Sequence, residues 1–127
     1  MYMFPRIIVH SPDQASTFYR EAFGAKEVFR APLLDDGRPS VIDHQIGDSS
    51  LRVSPAVSEW GWLAPDDVGG SPVLLEIDAE DPDAVGEQMI AHGAETIVPI
   101  ENRAYGKRSG RIRDPFGHLW IITGELR

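Results

Sequence analysis

The side chains of this 127-residue chain best suited to holding a metal or moving a proton near neutral pH are four histidines, His10, His44, His92 and His118. Cysteine is absent, so no thiolate nucleophile, disulfide or cysteine-bound metal is available, and any metal would rest on these imidazoles with nearby carboxylates. No pair of histidines has the ligand spacing of a helix or strand. His118 belongs to a hairpin tip and His92 to a helix end, where hydrogen bonds to turn or terminal carbonyls account for them. A cationic group, Lys107, Arg108, Arg111 and Arg113, could hold a carboxylate or phosphate, or be neutralised by Asp114 and the acidic surface. Trp60 and Trp62, with Tyr105 opposite, could stack on a planar ligand; packing against the domain or a partner subunit would also explain them. No glycine-rich phosphate loop, nucleophile elbow or recognisable serine-histidine-acid motif is present.

The totals narrow the classes of function. A formal net charge of −8 repels phosphate backbones, which argues against a nucleic-acid partner. No apolar run approaches the roughly 18 residues that a membrane span needs, and the first residues carry no basic start followed by an apolar stretch. The expectation is a cytoplasmic protein without membrane contact, of a length that fits one domain with one core or two half-cores.

The elements that must position these groups follow from local signals. A β-rich run over 4–10 is closed by Ser11-Pro12-Asp13, with Ser11 as N-cap, Pro12 at the first helical position and Gln14 three residues after the cap. Ala15, Phe18, Tyr19, Ala22 and Phe23 then repeat at helical spacing up to Gly24. A strand over 26–34 and a turn at 35–39 precede a hairpin of 41–46 and 49–54 about Gly47-Asp48. Alternation places Ile42, His44, Ile46, Leu51 and Val53 toward the helix, and Asp43, Gln45, Ser50 and Arg52 on the other face. Periodicity stops over 55–72. It resumes with a strand over 73–77, a weaker helix opened by Asp81-Pro82-Asp83 and ended by Gly93, a strand over 95–100 and a polar loop over 103–108. The last hairpin turns on Asp114-Pro115-Phe116-Gly117-His118, where Asp114 can hydrogen-bond forward and Gly117 can supply a positive φ.

The two halves rhyme at an offset of about seventy residues, Pro12-Asp13 through Gly24-Ala25 against Pro82-Asp83 through Gly93-Ala94, which reads as a duplicated βαβββ unit. This order, the Phe18-Tyr19-Arg20 to Phe23-Gly24 helix and the Asp114-Pro115-Phe116-Gly117-His118 hairpin together resemble the vicinal oxygen chelate superfamily of glyoxalase I, bleomycin resistance proteins and extradiol dioxygenases. Tyr105-Gly106-Lys107-Arg108-Ser109-Gly110 and Trp120 look most like its PhnB-like branch. The resemblance implies an α+β fold: two βαβββ modules, about 4–54 and 72–125, joined by a loop over 55–71 and forming a curved mixed β-sheet around a cleft.

In metal-dependent members, the resemblance implies a divalent ion held by side chains pointing into the sheet. Counting from the matched motifs places those positions at Phe4, about Arg52, Pro72 and Ile121. None of these is an imidazole, carboxylate or thiolate, so no metal and no cofactor are expected. Counting the inward positions by alternation gives a mostly apolar cleft with a few polar groups: Phe4 and Arg6 from the first strand, Leu74, Glu76 and Asp78 from the first strand of the second module, and Leu119, Ile121 and Thr123 from the last. Arg6 and Glu76 could alternatively form a buried salt bridge between modules. The expected ligand-binding set is therefore Arg6, Asp43, Gln45, Arg52, Trp60, Trp62, Glu76, Tyr105 and Ile121, with no catalytic residue assigned. The function expected is that of a metal-free protein of the bleomycin-resistance type, holding a small organic molecule in the sheet cleft and, like similar proteins, homodimeric. An enzyme of the glyoxalase or dioxygenase class with displaced or absent metal ligands is the alternative, and a regulatory or assembly module without a ligand a third.

Overall fold

Ser11 starts the first helix as its position predicts: its hydroxyl accepts from the Gln14 N–H at 3.3 Å, Pro12 follows at the first helical position, and Gly24 ends the helix in the left-handed conformation at φ 66°. The computed structural model describes all 127 residues, which form two compact units, Met1–Val68 and Gly69–Arg127.

In the first unit, β1 (Arg6–Val9), α1 (Pro12–Phe23), β2 (Lys26–Arg30), β3 (Ile42–Ile46) and β4 (Ser49–Pro55) build a four-stranded sheet of order β1-β4-β3-β2. β1 runs parallel to β4 and the other pairs are antiparallel. The hairpin register is the expected one, with His44 opposite Leu51 and Ile46 opposite Ser49. Helix α1 packs on this sheet and buries Ala15, Phe18, Tyr19 and Ala22; Ile42, His44, Leu51 and Val53 of the sheet are buried as well. The strand expected over 26–34 stops at Arg30, since Pro32 has no N–H for a ladder; its carbonyl instead accepts from Ser40, and Leu33 makes only an isolated bridge to Pro39.

The stretch expected to lack periodicity is partly ordered. A 3₁₀ turn (Ser58–Trp60) leads to Gly61 at φ 72°, Val57 bridges to Trp62, and a one-turn helix α2 (Pro65–Val68) has its entry fixed by Asp67, whose carboxylate accepts from the Ala64 N–H at 2.8 Å.

In the second unit, β5 (Leu74–Asp78), α3 (Pro82–Ala91), β6 (Glu95–Asn102), β7 (Arg108–Arg113) and β8 (Leu119–Gly124) give the order β5-β8-β7-β6, the same topology strand for strand. Asp81 caps α3 by accepting from the Ala84 N–H at 3.1 Å. The helix buries only Pro82, Gly86 and Met89, in keeping with its weaker apolar pattern. Asp114 is the anchor of the last hairpin: Oδ1 accepts from the N–H groups of Phe116 and His118 at 2.9 and 3.0 Å, and Oδ2 from the Trp120 indole at 2.9 Å. Gly117 stands at φ 92°, and Trp120, buried against the core, is the position that alternation assigns to the helix side.

Candidate functional site

The second sheet carries a hollow of about 540 Å³ on the face away from α3. Its floor follows from register. Arg111 of β7 lies beside Ile121 of β8, which lies beside Glu76 of β5; one step along, Ser109 lies beside Thr123, which lies beside Asp78. Because side chains alternate along each strand, these two rows point the same way. The rim comes from the loop between β6 and β7, with Arg103, Tyr105 and Lys107 lining the hollow. That loop is closed by hydrogen bonds from the Arg103 N–H to the Lys107 carbonyl and from the Gly106 N–H to the Arg103 carbonyl. The Arg103 guanidinium reinforces it, donating to the carbonyls of Ser109 and Pro99 and lying 3.6 Å from Glu101.

The cationic group splits by partner. Arg108 makes a two-pronged pair with Asp83 at 2.6 and 2.8 Å, which holds that carboxyl below its usual range, and Arg113 pairs with Glu95 at 3.2 Å. Asp114, expected as a possible neutraliser, is instead occupied by the turn. Arg111 has no ion-pair partner, and neither has Glu76 or Asp78.

The remaining expected residues belong to the first unit. Arg6, Arg52 and Asp43 form one cross-strand row on the face away from α1. Arg52 grips Asp43 with two hydrogen bonds of 2.7 and 2.9 Å, which raises the arginine's pKa further, and its guanidinium lies 5.2 Å from the Phe4 ring centroid. The Arg6 guanidinium lies 5.2 Å from the Trp62 ring centroid. Gln45 donates to the Gly47 carbonyl at 3.1 Å and so serves its own turn. Trp60 and Trp62 meet edge to face at 5.1 Å, and Trp60 also lines a separate surface hollow with Leu33, Leu34 and Arg38. Thus Glu76, Tyr105 and Ile121 share the hollow of the second sheet, whereas Arg6, Asp43, Arg52 and Trp62 lie in the first unit.

Two clusters had no signal in the sequence. Ser16, His44 and Glu27 meet inside the first unit, with Oγ to Nε2 at 2.7 Å and Oγ to Oε1 at 3.4 Å. The serine, not the histidine, is the middle member, and Ser16 and His44 are 0% and 1% exposed, so no substrate reaches them. His10 lies 3.0 Å from Asp67 and 3.4 Å from Asp66 at the surface, three ligand-type atoms within 4.8 Å of one another. These residues stand more than fifty positions apart in sequence and no periodicity joins them.

The model of the Glyoxalase/Bleomycin resistance protein/Dioxygenase superfamily matches residues 3–122. The chain belongs to this superfamily. It is 29% identical over 126 residues to the uncharacterized protein Mb0911c of Mycobacterium bovis, spanning 97% of this chain and 82% of that one. Among solved structures, a protein of unknown function from Agrobacterium tumefaciens is 27% identical with a TM-score of 0.71, covering 99% of this chain and 94% of that one. The PA1353 protein of Pseudomonas aeruginosa, at 14% identity, superposes with a TM-score of 0.81 over 100% and 99% of the two chains, a likeness of fold.

The resemblance places the metal positions of metal-dependent members at Phe4, about Arg52, Pro72 and Ile121. Arg52 is a cation locked to Asp43, Ile121 is the apolar centre of the Arg111–Glu76 row, and Phe4 and Pro72 have no lone pair to offer. The donor set does not fit the superfamily's metal. No histidine lines the hollow of the second sheet, and its aliphatic hydroxyls, Ser109 and Thr123, are buried.

Proposed function

We propose that this superfamily member is a binding protein of the bleomycin-resistance type, close to the PhnB-like branch, which holds a small organic molecule in the hollow of its second sheet without a metal. The observation that carries this reading is the make-up of that hollow: an apolar floor at Ile121 flanked by the unpaired side chains Arg111, Glu76 and Asp78, with the Tyr105 ring exposed at the rim. A concave surface with a few convergent polar groups and one flat ring is suited to orienting a small molecule. The absence of donors at the superfamily's metal positions supports a role that needs no ion. We place the protein in the cytoplasm and read it as a homodimer.

The test is a thermal-shift screen of the purified chain against small organic compounds and, separately, divalent ions. A ligand at 100 times its dissociation constant adds about 2.7 kcal/mol of stability, a shift of several degrees for a chain of this size. Compounds are expected to raise the melting temperature, and Ile121→Trp, which fills the floor, to abolish the shift. A divalent ion that alone raises the melting temperature, and whose shift survives only in the absence of chelator, would sink the metal-free reading.

A further inference from the structure

We infer that the ligand of the second sheet's hollow is a zwitterion, its anionic end held on the β7 side and its cationic end on the β5 side; this rests on the binding function proposed above. Every other arginine of the second unit has a carboxylate partner: Arg103 has Glu101, Arg108 and Arg127 share Asp83, and Arg113 has Glu95. Arg111 alone has none, in a chain of net charge −8 where carboxylates are plentiful. It lines the hollow beside Arg103 and Lys107, and the only carboxylate near Lys107 is the fully solvated Glu125, 3.8 Å away. One side of the hollow is therefore an anion-binding wall.

The opposite side has the converse pattern. Glu76 and Asp78, the two acidic residues of β5, line the same hollow and also lack partners. They do not reach the cations because β8 lies between, offering only Ile121 and Thr123 to the hollow. Two strand spacings separate the β7 and β5 backbones by about 9.5 Å, no ion pair crosses that gap, and it is wide enough for the body of a ligand. Covering this floor removes water from both walls. A neutral molecule would leave both charges desolvated and unpaired, and a singly charged one would leave one so. A molecule with a carboxylate or phosphate at one end, an ammonium at the other and an apolar body between them satisfies both walls and Ile121 together.

Titration of the isotope-labelled full chain with four matched probes, followed by the amide resonances of β5, β7 and β8, decides the matter. The probes are para-aminomethylbenzoate, para-toluate, para-methylbenzylamine and the neutral para-methylbenzyl alcohol. The zwitterion is expected to bind at least about tenfold more tightly than either singly charged probe, the equivalent of one retained charged contact. Arg111→Gln is expected to weaken para-aminomethylbenzoate and para-toluate but not para-methylbenzylamine, and Glu76→Gln to weaken para-aminomethylbenzoate and para-methylbenzylamine but not para-toluate. Both side chains are exposed, and unchanged resonances in α3, which packs on the same sheet, verify that the second unit of each variant is folded. Binding of the alcohol or of one singly charged probe as tightly as the zwitterion overturns the ligand class while leaving the binding function standing. If none of the four moves these resonances at millimolar concentration, the ligand class falls, and if the compound screen is blank as well, the binding function falls with it.

Discussion

Ser16 and His44 form the most consequential polar contact inside the first unit, because His44 is buried with one ring nitrogen satisfied and the other not. Nε2 meets Ser16 Oγ at 2.7 Å, Oγ can donate onward to Glu27, and Nδ1 has no hydrogen-bond partner. The consistent arrangement is a neutral ring whose Nε2–H donates to the serine, leaving a bare lone pair at Nδ1. Burial pushes the His44 pKa below its ordinary value near 6.5, against partial opposition from the Leu51 backbone and then the Glu27 carboxylate. As pH falls through about 6.5 the unfolded chain takes up a proton at this ring that the native state refuses, so stability falls, by at most about 1.4 kcal/mol per pH unit, until the lower native value is passed. Glu27 acts in a different window: the Arg30 hydrogen bond holds its carboxyl below the ordinary value of 4.5, so its contribution is present above that pH and lost beneath it. Urea unfolding at pH 7.5 and 5.5 should therefore show a loss that shrinks by about 1 kcal/mol in His44→Gln; an unchanged pH difference in that variant would refute the assignment.

Strand and helix boundaries show where local rules suffice and where they fail. Helix α1 was legible from Ser11 to Gly24 because capping and apolar spacing act within a few residues, and the Asp114 turn was legible for the same reason. The β3–β4 register followed from the two-residue turn alone. Strand β6 was not legible beyond its existence: its pairing with β7 shifts between Thr96 and Val98 and again between Val98 and Glu101. The cause lies across the sheet at Gly110, where a Cβ would stand 2.7 Å from the Ile100 amide nitrogen and 2.7 Å from the Val98 carbonyl oxygen. No pattern in 95–102 announces that approach. The hollow was legible to the extent that alternation governs it: Glu76 and Ile121 line it by strand parity, whereas Arg103 is brought there by a loop that only tertiary closure defines. Two of the three crowded glycines of this unit, Gly86 and Gly110, should answer differently to alanine. Gly110→Ala meets backbone, which cannot yield, and should cost about 2–3 kcal/mol. Gly86→Ala meets chiefly the Ile100 Cδ1 tip at 2.6 Å, which can swing into the open groove beside α3, so the helix-propensity gain of about 1 kcal/mol should offset the rearrangement to within about 0.5 kcal/mol. Urea midpoints at constant slope measure both, and equal losses in the two variants would contradict this account.

The two units share one strand order, and each sheet has two edges: β1 and β2 in the first, β5 and β6 in the second. An edge strand exposes unpaired backbone groups, which proteins ordinarily guard with charge, bulges or cover. The β6 edge is guarded by its own register shifts. The β2 edge has one such shift, between Glu27 and Phe29, and is otherwise less guarded. Lys26, Glu27 and Arg30 are charged, yet Arg30 is drawn to Asp13 and Glu27, and Val28 and Phe29 are each more than half exposed with Leu33 close by in sequence. No helix of the chain is long and apolar enough to cross a membrane, so a lipid-spanning helix does not account for this apolar surface. A second copy related by a two-fold axis would, since an isologous contact places the same edge opposite itself and covers Phe29 with its own symmetry mate. Sedimentation at micromolar protein should then give twice the 14.1 kDa chain mass for the parent protein and the single-chain mass for Phe29→Asp, because a carboxylate facing its own copy is both repelled and desolvated. A parent protein that sediments at 14.1 kDa rules out the dimer, and a Phe29→Asp variant that stays dimeric moves the contact away from β2.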